Sequence, residues 1–195
     1  MKKIIKYVFS LPAIIGNAIT LALAKAEHGT YSFHGAVHIH NKNGKLRFGN
    51  NLQIISGRYG NPIGGDTKML IRIGPGALLE IGNNVSMSNS AIVCRAGISI
   101  ADNVMIGGSC KIWDTDFHPI DPAQRLLTPD QNYKSKPISI ERNAFIGSGC
   151  YILKGVTVGE NSVIGAGSVV TKNIPANEIW AGNPAKFIRY LTETA

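Results

Sequence analysis

From Ile140 onward every sixth residue is β-branched: Ile140, Ile146, Ile152, Val158, Ile164 and Val170. Glycine follows at Gly147, Gly159 and Gly165, and small residues or valine recur at Ala144, Cys150, Val156, Ser162 and Ser168. Such a register is far beyond chance, and an internal period constrains a fold more than any other sequence feature. A period of six gives a short flat strand and a sharp corner, and three such units close one triangular coil. The apolar residue points inward and stacks on its counterpart one coil on, at about the 4.8 Å spacing of paired strands. Glycine beside it is expected to open backbone conformations closed to other residues. The chain therefore reads as all-β, a parallel β-helix. A β-sandwich would alternate with period two and lack this register.

The same period appears earlier with shifts of phase. Ile81, Met87 and Val93 form one run, Ile100, Ile106 and Ile112 another, with Gly82 and Gly107 following as before. Phe48-Gly49 leads to Ile54, and Phe33 to Ile39, a weakening expected of terminal repeats. The array spans residues 28–180 and breaks once, over 113–137, where Pro119, Pro122, Pro129 and Pro137 fall and no hexad survives. An excursion from a strict array that also carries a polar cluster reads as a functional loop. In the tail, 181–195, the spacing of Phe187, Ile188 and Leu191 predicts a short C-terminal helix.

Residues 1–27 precede the array. Met1–Lys6 is basic, Tyr7–Leu23 mostly apolar, and Ala22-Leu23-Ala24 resembles a cleavage site, the outline of a signal peptide. Pro12, Asn17 and Thr20 interrupt that stretch, and Lys6, Ser10, Asn17 and Thr20 share one face at 100° per residue. This pattern predicts an amphipathic helix restarted at Pro12. Its apolar face packs on the domain end or lies on a membrane surface; a cleaved signal is the third reading.

Composition narrows the partners. The formal charge is +8, from 20 Lys+Arg against 12 Asp+Glu, which favours an anionic partner. The basic residues are scattered without interleaved aromatics, so a phosphorylated cofactor or a membrane surface fits better than nucleic acid. Cys94, Cys110 and Cys150 are odd in number and form no C-x-x-C, which argues for buried thiols in a reducing compartment rather than disulfides or a zinc ribbon. The expected location is cytoplasmic, at the inner membrane surface if the N-terminal helix binds lipid.

Several stretches resemble the hexapeptide-repeat acyltransferases, in the branch of the maltose, galactoside and nodulation-factor O-acetyltransferases and the capsule or O-antigen acetyltransferases. They are Phe117-His118-Pro119-Ile120-Asp121, Lys136-Pro137-Ile138-Ser139-Ile140, Phe145-Ile146-Gly147-Ser148, Ile164-Gly165-Ala166-Gly167-Ser168-Val169-Val170-Thr171-Lys172 and Ala181-Gly182-Asn183-Pro184-Ala185-Lys186. Residues 81–190 match closely and 1–70 loosely. The resemblance implies a left-handed coil, against the usual crossover hand. It also implies a homotrimer with active sites between subunits, and direct acetyl transfer from acetyl-CoA to a hydroxyl of a sugar or cell-surface polysaccharide precursor.

Acyl transfer to a hydroxyl needs a base, donors for the oxyanion and a grip on the acyl carrier. His118, in the excursion, is the candidate base, because imidazole exchanges protons near neutral pH. The resemblance matches it to the family's catalytic histidine. Asp114 or Asp116 is a candidate to orient it, the alternative being two solvated loop acids. Asn89 resembles the family's acceptor-binding asparagine, although Cys94-Arg95 follows where sugar-specific relatives tend to be acidic. Ser148 matches a residue whose backbone N–H faces the thioester, and Phe145 stands where close relatives carry tryptophan near the cofactor. Ala166, Thr171 and Lys172 match residues lining the pantetheine arm and nearby phosphates, and Lys186 and Arg189 match cations near the CoA phosphates. Cys110 and Cys150 occupy interior hexad positions, which argues against an acyl-cysteine intermediate.

Three rival readings fit less well. The γ-type carbonic anhydrases share the fold and bind zinc through three histidines, but His28, His34, His38 and His40 lie outside the convincing repeats and no second histidine follows His118. No metal is therefore expected. A purely structural β-helix would not need the Phe117-His118-Pro119 loop. An amino-sugar N-acetyltransferase would more often carry an acid beside the histidine, where this chain has Pro119.

Overall fold

The computed structural model describes residues 2–58, 60–64, 67–127 and 133–191. Pro129, part of the expected excursion, and the last four residues of the tail lie outside them. The chain opens with α1 (Lys2–Leu23) and then winds six coils. These are β1 (Glu27–His28), β2 (Tyr31–His34) and β3 (His38–Asn41); β4 (Lys45–Phe48), β5 (Leu52–Ile55) and β6 (Leu70–Ile73); β7 (Leu78–Ile81), β8 (Ser86–Ser88) and β9 (Ala91–Cys94). They continue as β10 (Ile98–Ile100), β11 (Met105–Ile106) and β12 (Lys111–Trp113); β13 (Ile138–Ile140), β14 (Phe145–Ile146) and β15 (Tyr151–Ile152); and β16 (Thr157–Val158), β17 (Val163–Ile164) and β18 (Val169–Val170). A hairpin of β19 (Glu178–Ala181) and β20 (Lys186–Tyr190) closes the array, and α2 (Pro122–Arg125) sits in the excursion between β12 and β13.

Each strand pairs in parallel with its counterpart one coil on, giving three sheets and a left-handed prism. Sheet A runs from β1 to β16, sheet B from β2 to β17 and on to β19 and β20, and sheet C from β3 to β18. The hexad series becomes three interior stacks. Ile81, Ile100, Ile140 and Val158 stack in sheet A, Ile54, Met87, Ile106, Ile146, Ile164 and Trp180 in sheet B, and Ile71, Ile92, Ile112, Ile152 and Val170 in sheet C. All are buried. Val93 is a correction: Ile92 and Cys94 point inward and Val93 outward, because the corner at Asn89 shortens that turn of the coil.

The glycines also differ from expectation. Gly107, Gly147, Gly159 and Gly165 are absent from the left-handed backbone region. Their need is space: a Cβ on Gly147 would lie 2.6 Å from the Ala166 nitrogen, and one on Gly107 2.6 Å from that of Ser148. Asparagine supplies the left-handed corners between sheets A and B, a conformation its short polar side chain tolerates, while Gly149 and Gly167 supply those between sheets B and C. Asn51, Asn84, Asn103, Asn143, Asn161 and Asn177, with φ of 56–60°, stack along the A-to-B edge. Each side-chain amide donates to the next carbonyl oxygen, at 2.8–3.1 Å.

The two ends are closed by different means. The predicted C-terminal helix is instead β20, antiparallel to β19. Lys186–Tyr190 is rich in strand formers and finds an open sheet edge whose backbone groups need partners. At the other end α1 is one helix, with Pro12 inside it rather than restarting it. It docks through its polar side. Asn17 accepts from the Val37 N–H and donates to the Gly35 carbonyl, each at 2.9 Å, beside buried Leu21 and Ala24. Over residues 12–23 the apolar face points away from the domain rather than packing on it as expected. Among the described residues no helix is long and apolar enough to cross a membrane.

Candidate active site

The excursion leaves the prism at the C-to-A edge, and its neck is a narrow ribbon. The Asp116 N–H donates to the Lys134 carbonyl at 3.0 Å, the Lys136 N–H to the Asp114 carbonyl at 2.9 Å, and Thr115 bridges Ser135. Phe117 then takes φ 64°, and the His118 N–H donates to the Asp116 carbonyl at 2.7 Å, a three-residue turn. A bulky residue held in that region stores about 1–3 kcal/mol of strain. The Phe117 ring lies edge-on to Trp113, 5.8 Å between centroids, and Trp113 meets Tyr151 at 5.6 Å. His118 is thus presented, exposed, from a fixed backbone. Beyond it, Asp121 caps α2, and Arg125 donates to the carbonyls of Pro119 and Ile120.

The two aspartates take roles that differ from each other and from expectation. Asp114 is fully buried, and its carboxylate accepts the N–H groups of Arg95, Ala96 and Gly97, each at 2.7 Å. It is neither a solvated acid nor an orienting partner for His118; it locks the preceding corner of the same edge. Asp116 pairs with Lys154 at 2.6 Å, both about three-quarters buried. Lys154, which sequence reasoning missed, stands two residues after Ile152 as Asp114 stands two after Ile112, so coil-to-coil alignment could have found it. Thr171 and Lys172 occupy the same edge two coils further on. Lys172 folds over the end of the prism, with its ammonium 5.0 Å from the centre of the Trp180 ring.

The remaining predicted residues gather on sheet B and its edge with sheet C. Phe145 is 44% exposed on the outer face, with Met105 (55%) beside it in register and Val163 and Ile179 continuing the row. A groove of about 360 Å³ runs along this face, lined by Met105, Gly107, Phe145 and residues of β5 and β8. Next to that row Gly107, Gly147, Gly165 and Ala181 form a flat column, with Ser148 and Ala166 at its margin. Among the described residues the Ser148 N–H has no acceptor. Lys186 pairs with Ala181 and Arg189 with Ile179, the strand bulging between them. That bulge returns both cations to the outer face, at the end of the row and column, while Phe187 packs against Trp180 on the other.

Asn89 marks the same edge nearer the N-terminus and is fully buried. Its amide oxygen accepts from the Gly57 N–H at 2.6 Å, and its NH₂ donates to the Asn61 carbonyl at 3.1 Å. Those bonds anchor the loop between β5 and β6, a second interruption of the array that corrects the single break read from the sequence and that no hexad signal announced. In this chain the Asn89 amide holds that loop.

All three thiols are buried and unbridged. Burial, reinforced by the nearby Asp114 charge, pushes Cys94 up to about 12. Hydrogen bonding to Cys150, with burial, drives the Cys110 thiol up as well. Among the described residues no cluster of three His, Cys, Asp or Glu could hold a metal ion. The larger concavity, about 630 Å³ on the polar outer face of sheet A, carries none of the candidate residues.

A family model, hexapeptide repeat of succinyl-transferase, matches residues 137–172. Nodulation protein L of Rhizobium meliloti (strain 1021) is 37% identical over 127 residues, 58% of this chain and 67% of the relative. Galactoside acetyltransferase, solved in complex with coenzyme A, is 30% identical with a TM-score of 0.53, covering 88% of this chain and 70% of that one. The N-acyltransferase AntD of Bacillus cereus shares the fold at a TM-score of 0.66 and 18% identity, over 86% of this chain and 84% of that one. The chain spans between 49% and 61% of the length of the first curated relatives it matches. With the hexad stacks, the excursion that carries His118 and these matches together, the chain belongs to the hexapeptide-repeat acyltransferase family.

Proposed function

We propose that this chain is an acetyltransferase that moves the acetyl group of acetyl-CoA to a hydroxyl of a sugar or cell-surface polysaccharide precursor. The observation that carries the reading is His118, held by a strained three-residue turn at the neck of the excursion between β12 and β13, beside the corner that Asp114 locks. His118 takes the proton of the acceptor hydroxyl as that oxygen bonds to the thioester carbon. The Ser148 N–H donates to the oxyanion, and His118 returns the proton to the departing sulfur. Lys186 and Arg189 receive the CoA phosphates at the end of the glycine column, whose crevices a side chain would fill, and the Phe145 row takes the apolar arm. The CoA complex of galactoside acetyltransferase supports the choice of carrier.

Within one chain His118 and Ser148 lie on opposite edges of sheet C, so a complete site calls for a second copy. The outer faces suit such an assembly. Sheet A presents Glu27, Arg47, Glu80, Ser99 and Ser139, whereas sheets B and C expose Met105, Phe145, Leu70 and Tyr151. Three copies packing B against C close a ring and leave A in water. Thiol release from acetyl-CoA, measured against matched hydroxylated and aminated sugars, tests the reading. Turnover with hydroxyl acceptors that His118→Ala abolishes supports it. Transfer confined to aminated sugars overturns the acceptor, and full activity in the variant overturns the mechanism.

A further inference from the structure

The face of α1 that the prism leaves uncovered is its apolar one. Asn17, Leu21 and Ala24 are buried, with Ala13 and Thr20 half-buried beside them, and together they define the docked side. Opposite, Ile14, Ile15, Ala18, Ile19, Ala22 and Leu23 are exposed, Ile15 by 56%, Ile19 by 54% and Leu23 by 80%. Open space surrounds Gly16 on the same side. At 100° per residue the exposed residues cover about half the circumference. A seam between two helices is a narrower stripe, whereas a helix lying in a bilayer surface immerses a broad apolar arc.

Charge selects the lipid. Over Lys2–Leu23 the helix carries Lys2, Lys3 and Lys6 and no acidic residue, and Lys25 follows at its end. In the sequence Lys2, Lys3 and Lys6 share the helical phase of Asn17. Lysines on the polar side of an immersed helix lie at the depth of the headgroup phosphates. The domain, attached through that same polar side, then stands on the aqueous side of the helix. We propose that α1 is an interfacial anchor that binds the surface of a bilayer containing anionic lipid, with Ile14, Ile15, Ile19 and Leu23 immersed. This anchor is independent of the acetyl-transfer reading.

The test is vesicle flotation with the full chain, using phosphatidylcholine vesicles and vesicles in which about one-third of the lipid is phosphatidylglycerol. The full chain floats with the anionic vesicles, less with phosphatidylcholine alone, and added salt weakens but does not abolish binding. Ile15→Glu/Ile19→Glu lowers partitioning at least tenfold, while its thermal unfolding and thiol release stay as in the parent chain. Should that variant fold poorly, Ile15→Ser/Ile19→Ser gives a smaller loss in the same direction. Absence of flotation by the full chain overturns the proposal, as does equal flotation of a folded variant. A full chain that ignores vesicles but loses mass in light scattering on Ile15→Glu/Ile19→Glu assigns the face to a second copy, which also overturns it.

Discussion

Replacing Asn143 in the middle of the asparagine ladder separates two contributions that the structure superimposes. Its NH₂ donates to Asn161 at 2.8 Å, its carbonyl oxygen accepts from Asn103 at 3.1 Å, and its φ is 59°. Asn143→Ala removes both bonds and forces an ordinary side chain into the left-handed region. Exposed side-chain bonds are worth about 0.5 kcal/mol each, the low end of the usual range, and the backbone penalty is about 1–2 kcal/mol. The expected loss is about 2–3 kcal/mol, a fall in Tm of roughly 5–10 °C for a chain of this size. Asn143→Gly loses the same bonds but tolerates the backbone, so it should retain about 1 kcal/mol more despite the greater freedom of its unfolded state. Asn177→Ala, at the ladder's end, forfeits one bond and should fall between them. Thermal and urea unfolding at one fixed protein concentration measure all three. Equal losses for Asn143→Ala and Asn143→Gly would refute the backbone argument.

Other expectations follow from the site and the coil. His118→Ala should lower turnover about 100-fold or more with CoA binding unchanged by calorimetry. Lys186→Ala/Arg189→Ala should raise KM for acetyl-CoA, with kcat nearly constant and no effect on acetyl-pantetheine, which lacks the nucleotide phosphates. Gly147→Ala should cost about 2 kcal/mol or more in unfolding experiments, because its Cβ would meet Ala166 and Ile164 backbone atoms at 2.6 and 2.8 Å. Light scattering should give three times the monomer mass of 20.9 kDa.

The interior of the prism was legible because burial alone sets it. Ile140, Ile146 and Ile152 each face the axis, and a period of six records that fact directly. The asparagine ladder was hidden by the same reading. Asn84, Asn103, Asn143 and Asn161 each stand three residues after an apolar member of sheet A, and Asn177 three after Ile174, which bridges Val158, a pattern that appears only when successive coils are aligned. The glycines were found for the wrong reason, since contact between coils is invisible to a scan along one strand. Phe187, Ile188 and Leu191 fit a helical spacing, but the open edge of β19 decided the tail's conformation, a tertiary effect over a run too short to resist it. Asn17 was recognised as polar. That its polarity would dock the helix depended on the unpaired Gly35 carbonyl and Val37 N–H, groups no side-chain pattern displays.

The same limit applies to the site. His118 stood out because the array breaks around it, and Phe145, Ser148 and Lys186 through resemblance, yet nothing linear says that they occupy different edges. The coil settles it by arithmetic: 118 follows a strand of sheet C, whereas 145–148 span a strand of sheet B and the corner after it. A prism one coil thick has no interior in which to hold a substrate, since its core is filled by stacked isoleucines and valines. Chemistry must therefore lie on an outer face or edge, where water competes for every charge unless a second surface covers it. The apolar outer faces of sheets B and C, set beside the polar face of sheet A, offer such covering surfaces. Under the proposed function each copy contributes a base from one edge and an acyl-carrier strip from another. Its affinity for CoA and its oligomeric state then become two readings of one equilibrium.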